Sequence, residues 1–150
     1  MRATSNIQFS NGDLLPQLGL GTWKSEPGEV AAAIKAAVRL GYRHIDCAAI
    51  YGNEREIGGA LAELFEAGEV QRSDLWITSK LWNTAHAPAD VAPALRQTLD
   101  DLRLDYLDLY LMHWPVAASP TGGVVSLEDV PLLTTWNAMA EQVGAGLCRH

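Results

Sequence analysis

An apolar run typical of a β-strand recurs about every thirty residues, and each run is followed by apolar residues at helical spacing. The four predicted strands cover residues 18–23, 44–48, 75–82 and 107–114. Strands that alternate with helices are typical of a parallel sheet covered by helices, because a crossover helix returns the chain to the same end of the sheet. The sequence therefore predicts an α/β protein.

Turn and cap residues predict where the other elements lie. A hairpin is expected at residues 7–15, where Asn11 and Gly12 supply the positive φ angles of a tight turn. The first helix is expected to end at Gly41, a residue type favoured just past a helix. Asn53 is the expected N-cap of the second helix, and Glu56 three residues later completes a capping box.

Proline and apolar spacing predict the third and fourth helices. The third is expected to start near Asp90, because a proline at position 93 is tolerated best in the first helical turn. The fourth is expected to bury one face and to end before Gly144 and Gly146. That face consists of Leu132, Trp136, Met139 and Val143.

Composition excludes several classes of partner. The 150 residues are 48% hydrophobic, which is sufficient for one domain, and 11 basic against 18 acidic residues give a net charge of −7. Without a basic face, binding to nucleic acid or to an anionic membrane is not expected. Cys47 and Cys148 lack the spacing of a metal site or a disulfide framework, so free thiols and a cytoplasmic location are expected.

Chemically active side chains stand where the predicted strands end. Trp23, Asp46, Lys80 and His113 all occupy such positions, and Tyr51 follows Asp46 by five residues. Barrels of the (β/α)₈ type carry their active sites at the carboxyl ends of the strands. No Gly-x-Gly-x-x-Gly follows any strand, which disfavours a dinucleotide-binding open sheet. We therefore expect a (β/α)₈ TIM barrel, of which four βα units (residues 18–146) and the hairpin are present.

Four segments together resemble the aldo-keto reductase family, from residue 7 to the last residue. They are Leu20-Gly21-Thr22-Trp23, the stretch from His44 to Glu54, Thr78-Ser79-Lys80-Leu81-Trp82, and Leu111-Met112-His113-Trp114-Pro115. The resemblance implies reduction of aldehydes or ketones with NADPH, and a catalytic tetrad of Asp46, Tyr51, Lys80 and His113. It also implies cofactor contacts from Gly21, Thr22, Trp23 and Asp46, and substrate contacts from Trp23, Tyr51, Trp82, His113 and Trp114.

The same resemblance makes residues 1–150 the amino-terminal half of one barrel domain, with four further strands expected in a complete member. A full-length protein is expected to be a monomer with a small carbonyl substrate. The isolated half is expected to self-associate, because its first and fourth strands have open edges and residues such as Leu18 and Leu107 lose an opposite wall. It is also expected to bind NADPH weakly and to lack activity.

The proposed acid is a phenol, which is a poor proton donor at neutral pH unless its anion is stabilised. An ammonium about 4 Å from the phenol oxygen would stabilise the phenolate by roughly 4 kcal/mol at an effective dielectric constant near 20. Lys80 is the expected source of that charge for Tyr51. Asp46 is expected to keep the lysine charged and directed inward.

Three alternatives stay open. Asp46 and Lys80 could form a purely structural ion pair, with the tryptophans as plain rim packing. His44 and Asp46 lie two residues apart on one strand, and together with His113 they could be the ligands of a metal-dependent hydrolase barrel. The protein could also be a non-catalytic, cofactor-binding regulatory subunit of the same fold; turnover of small aldehydes separates that alternative from an enzyme.

Overall fold

A computed structural model describes residues 5–150, so residues 1–4 of the expected domain lie outside the described part. Two strands form a hairpin, β1 (Asn6–Gln8) and β2 (Leu14–Pro16), and four more form the main sheet, β3 (Leu20–Gly21), β4 (His44–Asp46), β5 (Trp76–Leu81) and β6 (Leu109–Met112). The helices are α1 (Val30–Arg39), α2 (Glu54–Glu66), α3 (Pro88–Leu102) and α4 (Leu132–Gly144). None of the helices within residues 5–150 has the length and apolar character needed to cross a membrane.

The main sheet is parallel, with strand order β3-β4-β5-β6, and one helix follows each strand. Each helix packs against the next helix along the chain, and the hydrophobic core lies between the helices and the sheet. Its fully buried side chains include Ile34, Ile45, Ile57, Ile77 and Leu95. The predicted α/β organisation, with four strand–helix units in sequence, is confirmed.

The first unit has a shorter strand than predicted. β3 consists of only two residues, which pair with Ile45 and Asp46. Leu18, predicted to point inward from this strand, precedes it and is 53% exposed. Before the strand begins, the chain passes close to the His44 ring at Gly19, where a Cβ atom would lie 2.8 Å from His44 Nδ1.

The hairpin is present, but its turn differs from the prediction. Gly12 has a φ of 95°, and its N–H donates to the carbonyl of Phe9 at 2.9 Å. Asn11 is not among the described residues with positive φ. The turn therefore spans five residues between the strands and relies on one glycine, rather than on an Asn-Gly pair with two positive φ angles.

Helix ends follow the predictions in part. Gly41 lies just past α1 with a φ of 96°, as expected for that position. α3 begins at Pro88 rather than near Asp90, and this places Pro93 in the helix interior. The missing N–H of Pro93 removes one helical hydrogen bond. Pro88 is favourable at the first helical position, and the buried residues Val91 and Leu95 hold the helix on the sheet.

The predicted buried face of α4 is correct at Met139 and wrong at Trp136 and Val143. Its buried residues are Thr135, Ala138, Met139 and Gln142. Of the predicted face, Trp136 is 61% exposed and Val143 is 44% exposed. Both side chains line an apolar groove of about 400 Å³ beside β6. The helix carries apolar residues on two faces, and sequence spacing alone does not decide which face meets the sheet.

Residues 147–150 extend the sheet beyond β6. The N–H of Leu107 donates to the carbonyl of Leu147, and the N–H of Arg149 donates to the carbonyl of Leu107, both at 3.0 Å. Tyr110 N–H donates to the carbonyl of His150 at 2.9 Å. Leu107 is fully buried as a result. The expectation that Leu107 lacks a covering wall is therefore wrong. The fourth strand, expected to have an open edge, is paired on its outer side from Leu107 to Tyr110.

His150 joins this extended segment to the hairpin. Its Nε2 lies 2.8 Å from Asp13 Oδ2, across a separation of 137 residues. Its ring centroid lies 4.5 Å from that of Phe9 and 5.5 Å from that of Trp76. The hairpin is thus attached at the amino ends of the strands, away from the carboxyl ends where the polar residues lie.

Candidate active site

An ion pair joins the ends of β4 and β5. The register places Asp46 opposite Thr78, and Lys80 follows Thr78 by two residues on the same face of β5. Lys80 Nζ lies 2.8 Å from Asp46 Oδ1 and donates to the Cys47 carbonyl at 2.7 Å. The lysine side chain is 13% exposed and the aspartate 36%. The ammonium is held at one position by two oxygens.

Tyr51 reaches the same ammonium from a 3₁₀ turn. The turn spans Ala49–Tyr51 and ends at Gly52, whose φ of 70° reverses the chain into α2. Lys80 Nζ lies 3.4 Å from the Tyr51 hydroxyl oxygen and 5.1 Å from the centroid of its ring. The phenol therefore faces the positive charge directly.

His113 lies among aromatic rings directly after β6. Its backbone N–H donates to the carbonyl of Leu81 at 3.1 Å, which continues the sheet pairing by one residue. The ring meets Tyr51 edge-on with centroids 5.7 Å apart, and meets Trp82 edge-on at 5.2 Å. Burial and the nearby Lys80 charge lower the pKa of His113, against a weaker opposite effect of Asp46. These effects favour the neutral form of the imidazole.

The segment after β3 is attached to the same site. The N–H and the hydroxyl of Thr22 both donate to the Asp46 carbonyl, at 3.1 and 2.9 Å. Asn53 Nδ2 donates to the Thr22 carbonyl at 2.8 Å. Trp23 is 67% exposed, and its ring centroid lies 6.4 Å from that of Tyr51. Gly21 precedes them in β3.

The structure therefore brings Asp46, Tyr51, Lys80 and His113 to one rim, with tryptophans around them. Trp82 is half-buried beside His113, and Trp114 stacks on His113 with centroids 6.2 Å apart while remaining 56% exposed. This geometry allows a phenol, an ammonium and an imidazole to act on one polar atom. Their catalytic roles stay predictions.

His44 is directed away from this group. Its Nδ1 lies 3.2 Å from the Pro16 carbonyl and its Nε2 lies 3.0 Å from Thr78 Oγ1. Burial lowers the pKa of the ring. Within residues 5–150, no three His, Cys, Asp or Glu side chains are grouped to hold a metal ion. The hydrolase alternative, which needs His44 to converge with Asp46 and His113, has no support in this geometry.

Sequence reasoning missed part of the supporting framework. Asn53 occupies the predicted N-cap position, but its side chain binds Thr22 rather than its own helix. Glu56 does not complete a capping box; its carboxylate accepts the N–H groups of Gly28 and Ala31, both at 3.0 Å. Glu54 is buried between β5 and α3. The sequence does carry a signal for the burial of Glu54, because this residue lies at helical spacing from the apolar residues Ile57 and Leu61 of α2.

Comparison with known proteins identifies the family. The model of the Aldo/keto reductase family matches residues 17–150. The chain belongs to this family. Among curated family members, an aldo/keto reductase of Synechocystis is 55% identical over 149 residues, covering 95% of this chain and 46% of its own length. Human aldo-keto reductase family 1 member A1 is 53% identical over 154 residues, covering 97% of this chain and 47% of its own length.

Solved structures of aldo-keto reductases share the fold. A Bombyx mori aldo-keto reductase in complex with NADP superposes with a TM-score of 0.91 at 39% identity, covering 97% of this chain and 48% of that one. The aldose reductase of Schistosoma japonicum gives a TM-score of 0.90 at 44% identity, covering 97% and 51%. The sheet and helices described above are thus part of a TIM barrel. The chain spans about half the length of the aldo-keto reductases that it matches.

Proposed function

We propose that the protein reduces aldehyde or ketone carbonyls to alcohols, with NADPH as the hydride donor and Tyr51 as the proton donor. Membership of the aldo/keto reductase family supports this reaction class. The observation that carries the proposal is the position of Lys80, whose ammonium contacts the Asp46 carboxylate and the Tyr51 phenol together. A purely structural ion pair does not need that phenol.

Tyr51 is the acid in this proposal. At the observed 3.4 Å, the ammonium stabilises a phenolate by about 5 kcal/mol at an effective dielectric constant of about 20. Asp46 holds the ammonium in place through the contact of 2.8 Å between Lys80 Nζ and its Oδ1. The bound nicotinamide supplies the hydride that reaches the carbonyl carbon. The Tyr51 hydroxyl gives its proton to the carbonyl oxygen, and solvent restores the phenol.

His113 orients the substrate. A neutral imidazole offers one N–H donor and carries no charge to compete with Lys80. The ring lies edge-on against Tyr51 with centroids 5.7 Å apart, so the imidazole and the phenol stand side by side at the rim. We therefore assign His113 a hydrogen bond to the substrate, and we assign Tyr51 the transferred proton.

Residues beside Asp46 fit the nicotinamide end of the cofactor. A Cβ atom at Gly21 would meet nothing within 4 Å, so open space lies next to Thr22 and Trp23. The Asp46 carboxylate is 36% exposed and can accept hydrogen bonds from sugar hydroxyls. We propose that Gly21, Thr22, Trp23 and Asp46 hold that end.

The tryptophans form the substrate pocket. Trp23 and Trp114 are mostly exposed, whereas Trp82 is half-buried against His113. Apolar walls around a few polar groups are typical of small-molecule sites. We propose that these rings and Tyr51 bind an apolar carbonyl compound.

A cytoplasmic site of action is also proposed, because Cys47 and Cys148 are both buried free thiols.

The test is Tyr51→Phe in the full natural protein, with Tyr42→Phe as the matched control. The phenyl ring fills the same space without an acid, so carbonyl reduction should fall by at least about 10²-fold while NADPH binding stays within about two-fold. The control should behave as the parent. Turnover of Tyr51→Phe within a few-fold of the parent would show that Tyr51 is not the proton donor. A parent that binds NADPH but reduces no carbonyl compound would favour the regulatory-subunit alternative.

A further inference from the structure

A buried carboxylate lies directly behind the candidate active site. Glu54 is the first residue of α2 and is only 4% exposed. The Ser79 hydroxyl donates to Oε1 at 2.5 Å, and the Thr98 hydroxyl donates to Oε2 at 3.0 Å. Burial raises the pKa of Glu54 in spite of these two hydrogen bonds. The carboxyl group is thus held in a buried position between β5 and α3, where burial disfavours its charged form.

The two hydrogen bonds join elements that carry the reacting groups. Tyr51 precedes Glu54 by three residues, and Ser79 directly precedes Lys80 in β5. Neighbouring strand residues point to opposite faces, so Ser79 meets Glu54 on the helix side while Lys80 meets Tyr51 on the other. The bond from Ser79 to Glu54 thus links the strand that carries the ammonium to the turn that carries the phenol.

This link controls the contact between Lys80 and the Tyr51 hydroxyl, and that contact is easily lost if the distance increases. Lys80 Nζ is 2.8 Å from Asp46 Oδ1 but 3.4 Å from the Tyr51 hydroxyl, which is near the limit of a hydrogen bond. A small outward shift of the turn would leave the ion pair intact and separate the phenol from the charge. Asn53 holds the same turn to Thr22 on its other side.

A close helix contact fixes the second hydrogen bond. Gly58 lies one turn after Glu54, and a Cβ atom there would come within 2.2 Å of the Asp101 carbonyl oxygen. The missing side chain lets α2 approach α3 closely, and Thr98 on α3 then reaches Glu54. The Glu54 carboxylate is consequently hydrogen-bonded to β5 through Ser79 and to α3 through Thr98.

Resting on the proposed reduction, we propose that Glu54 is a positioning residue that sets the distance between the Tyr51 hydroxyl and Lys80. It acts through Ser79 and through the first turn of α2, without touching the substrate. Loss of the link should lower kcat and leave the KM of the carbonyl compound nearly unchanged. If Glu54 had only a structural role, replacing it would lower the stability of the protein without this selective loss of kcat.

The first experiment compares Ser79→Ala with Thr98→Val in the full natural protein. Each change removes one hydroxyl donor from the same carboxylate, so the two should give similar shifts in denaturant midpoint. Only the first cuts the link to the strand that carries Lys80. We expect kcat to fall about ten-fold for Ser79→Ala and less than about two-fold for Thr98→Val, with KM and NADPH binding unchanged, since small misplacements of reacting groups lower rates strongly. Equal effects of the two changes on kcat would overturn the proposal.

The second experiment separates position from charge. In Glu54→Gln, the Ser79 hydroxyl still donates to the side-chain oxygen and the new amide donates to Thr98 Oγ1, so kcat should stay within about three-fold of the parent. Glu54→Ala loses both bonds, and kcat should fall by about 10–100-fold. A glutamine variant as slow as the alanine variant would overturn the proposal, because charge rather than position would then be responsible.

Crystal structures of these two variants give a readout that needs no turnover. The distance from the Tyr51 hydroxyl to Lys80 Nζ should increase from 3.4 Å in the alanine variant and stay unchanged in the glutamine variant. An unchanged distance in both would refute the positioning role even in an active enzyme. If the parent reduces no carbonyl compound, the proposed reduction fails, and the distances still decide the role of Glu54.

Discussion

Replacing Lys80 by methionine tests the electrostatic basis of the proposed acid. Methionine keeps most of the length of the side chain and removes its charge. The change deletes the contacts with Asp46 Oδ1 and the Cys47 carbonyl, at 2.8 and 2.7 Å, as well as the one with the Tyr51 hydroxyl at 3.4 Å. Asp46 keeps access to water, because its side chain is 36% exposed. The fold should therefore survive the change.

The size of the effect follows from the distance. A charge 3.4 Å from the phenol oxygen is worth about 5 kcal/mol to a full phenolate at an effective dielectric constant of about 20. If the proton is about half transferred in the transition state, about half of that energy is lost, near 2.5 kcal/mol. At about 1.36 kcal/mol per factor of ten, kcat should fall roughly 70-fold.

The assay follows loss of NADPH absorbance with a small aldehyde in the full natural protein. Lys35→Met is the matched control, since Lys35 forms an ion pair with Glu63 on the helix side, 2.5 Å long. Asp46→Asn should lose less activity than Lys80→Met, because it weakens the support of the ammonium without removing the charge. A loss below about five-fold for Lys80→Met, matched by Asp46→Asn, would mean that the pair is a structural salt bridge.

Four further predictions concern stability and assembly. Gly58→Ala should lower the free energy of unfolding by about 1–3 kcal/mol through overpacking, whereas Gly59→Ala, with nothing within 4 Å of the new Cβ, should leave it unchanged or raise it; denaturant unfolding of both decides. Glu54 has a pKa raised above its ordinary 4.5, so the stability of the parent relative to Glu54→Gln should fall as pH rises through the folded-state pKa. Glu56 has a lowered pKa, so the parent should lose stability relative to Glu56→Gln as pH falls; equal trends would contradict the assignment. The 150-residue chain expressed alone should self-associate through the groove lined by Trp136 and Val143 and should bind NADPH weakly, because barrel phosphate sites commonly follow strands seven and eight. A monomer that binds NADPH at micromolar concentration, seen by sedimentation velocity and fluorescence titration, would contradict this.

Features encoded by local spacing could be predicted from the sequence. Apolar runs set the order of the strands, and a parallel sheet aligns the carboxyl ends of those strands. Asp46 and Lys80 meet because the register of β4 and β5 follows from that alignment. Gly41 could be placed just past α1, because glycine adopts the positive φ of that position without a steric penalty.

Features that depend on distant partners could not be predicted. Helical spacing predicts that Trp136 and Val143 share the buried face of Met139, but packing buries Thr135 and Ala138 beside it instead. Leu107 is covered by residues 147–150, a pairing that no local signal reports. Glu56 was expected to cap its own helix, but its carboxylate accepts hydrogen bonds from the N–H groups of Gly28 and Ala31, which are distant in the sequence.

The contact between His150 and Asp13 has a consequence for synthesis on the ribosome. The hairpin that contains Asp13 is made first, yet its partner lies 137 residues later in the chain. At a translation rate of about 5–20 residues per second, the hairpin waits roughly 7–27 s before this contact can form. During that interval Phe9 lacks the imidazole against which it packs in the folded chain. The nascent hairpin therefore keeps one side of Phe9 uncovered until His150 has been made.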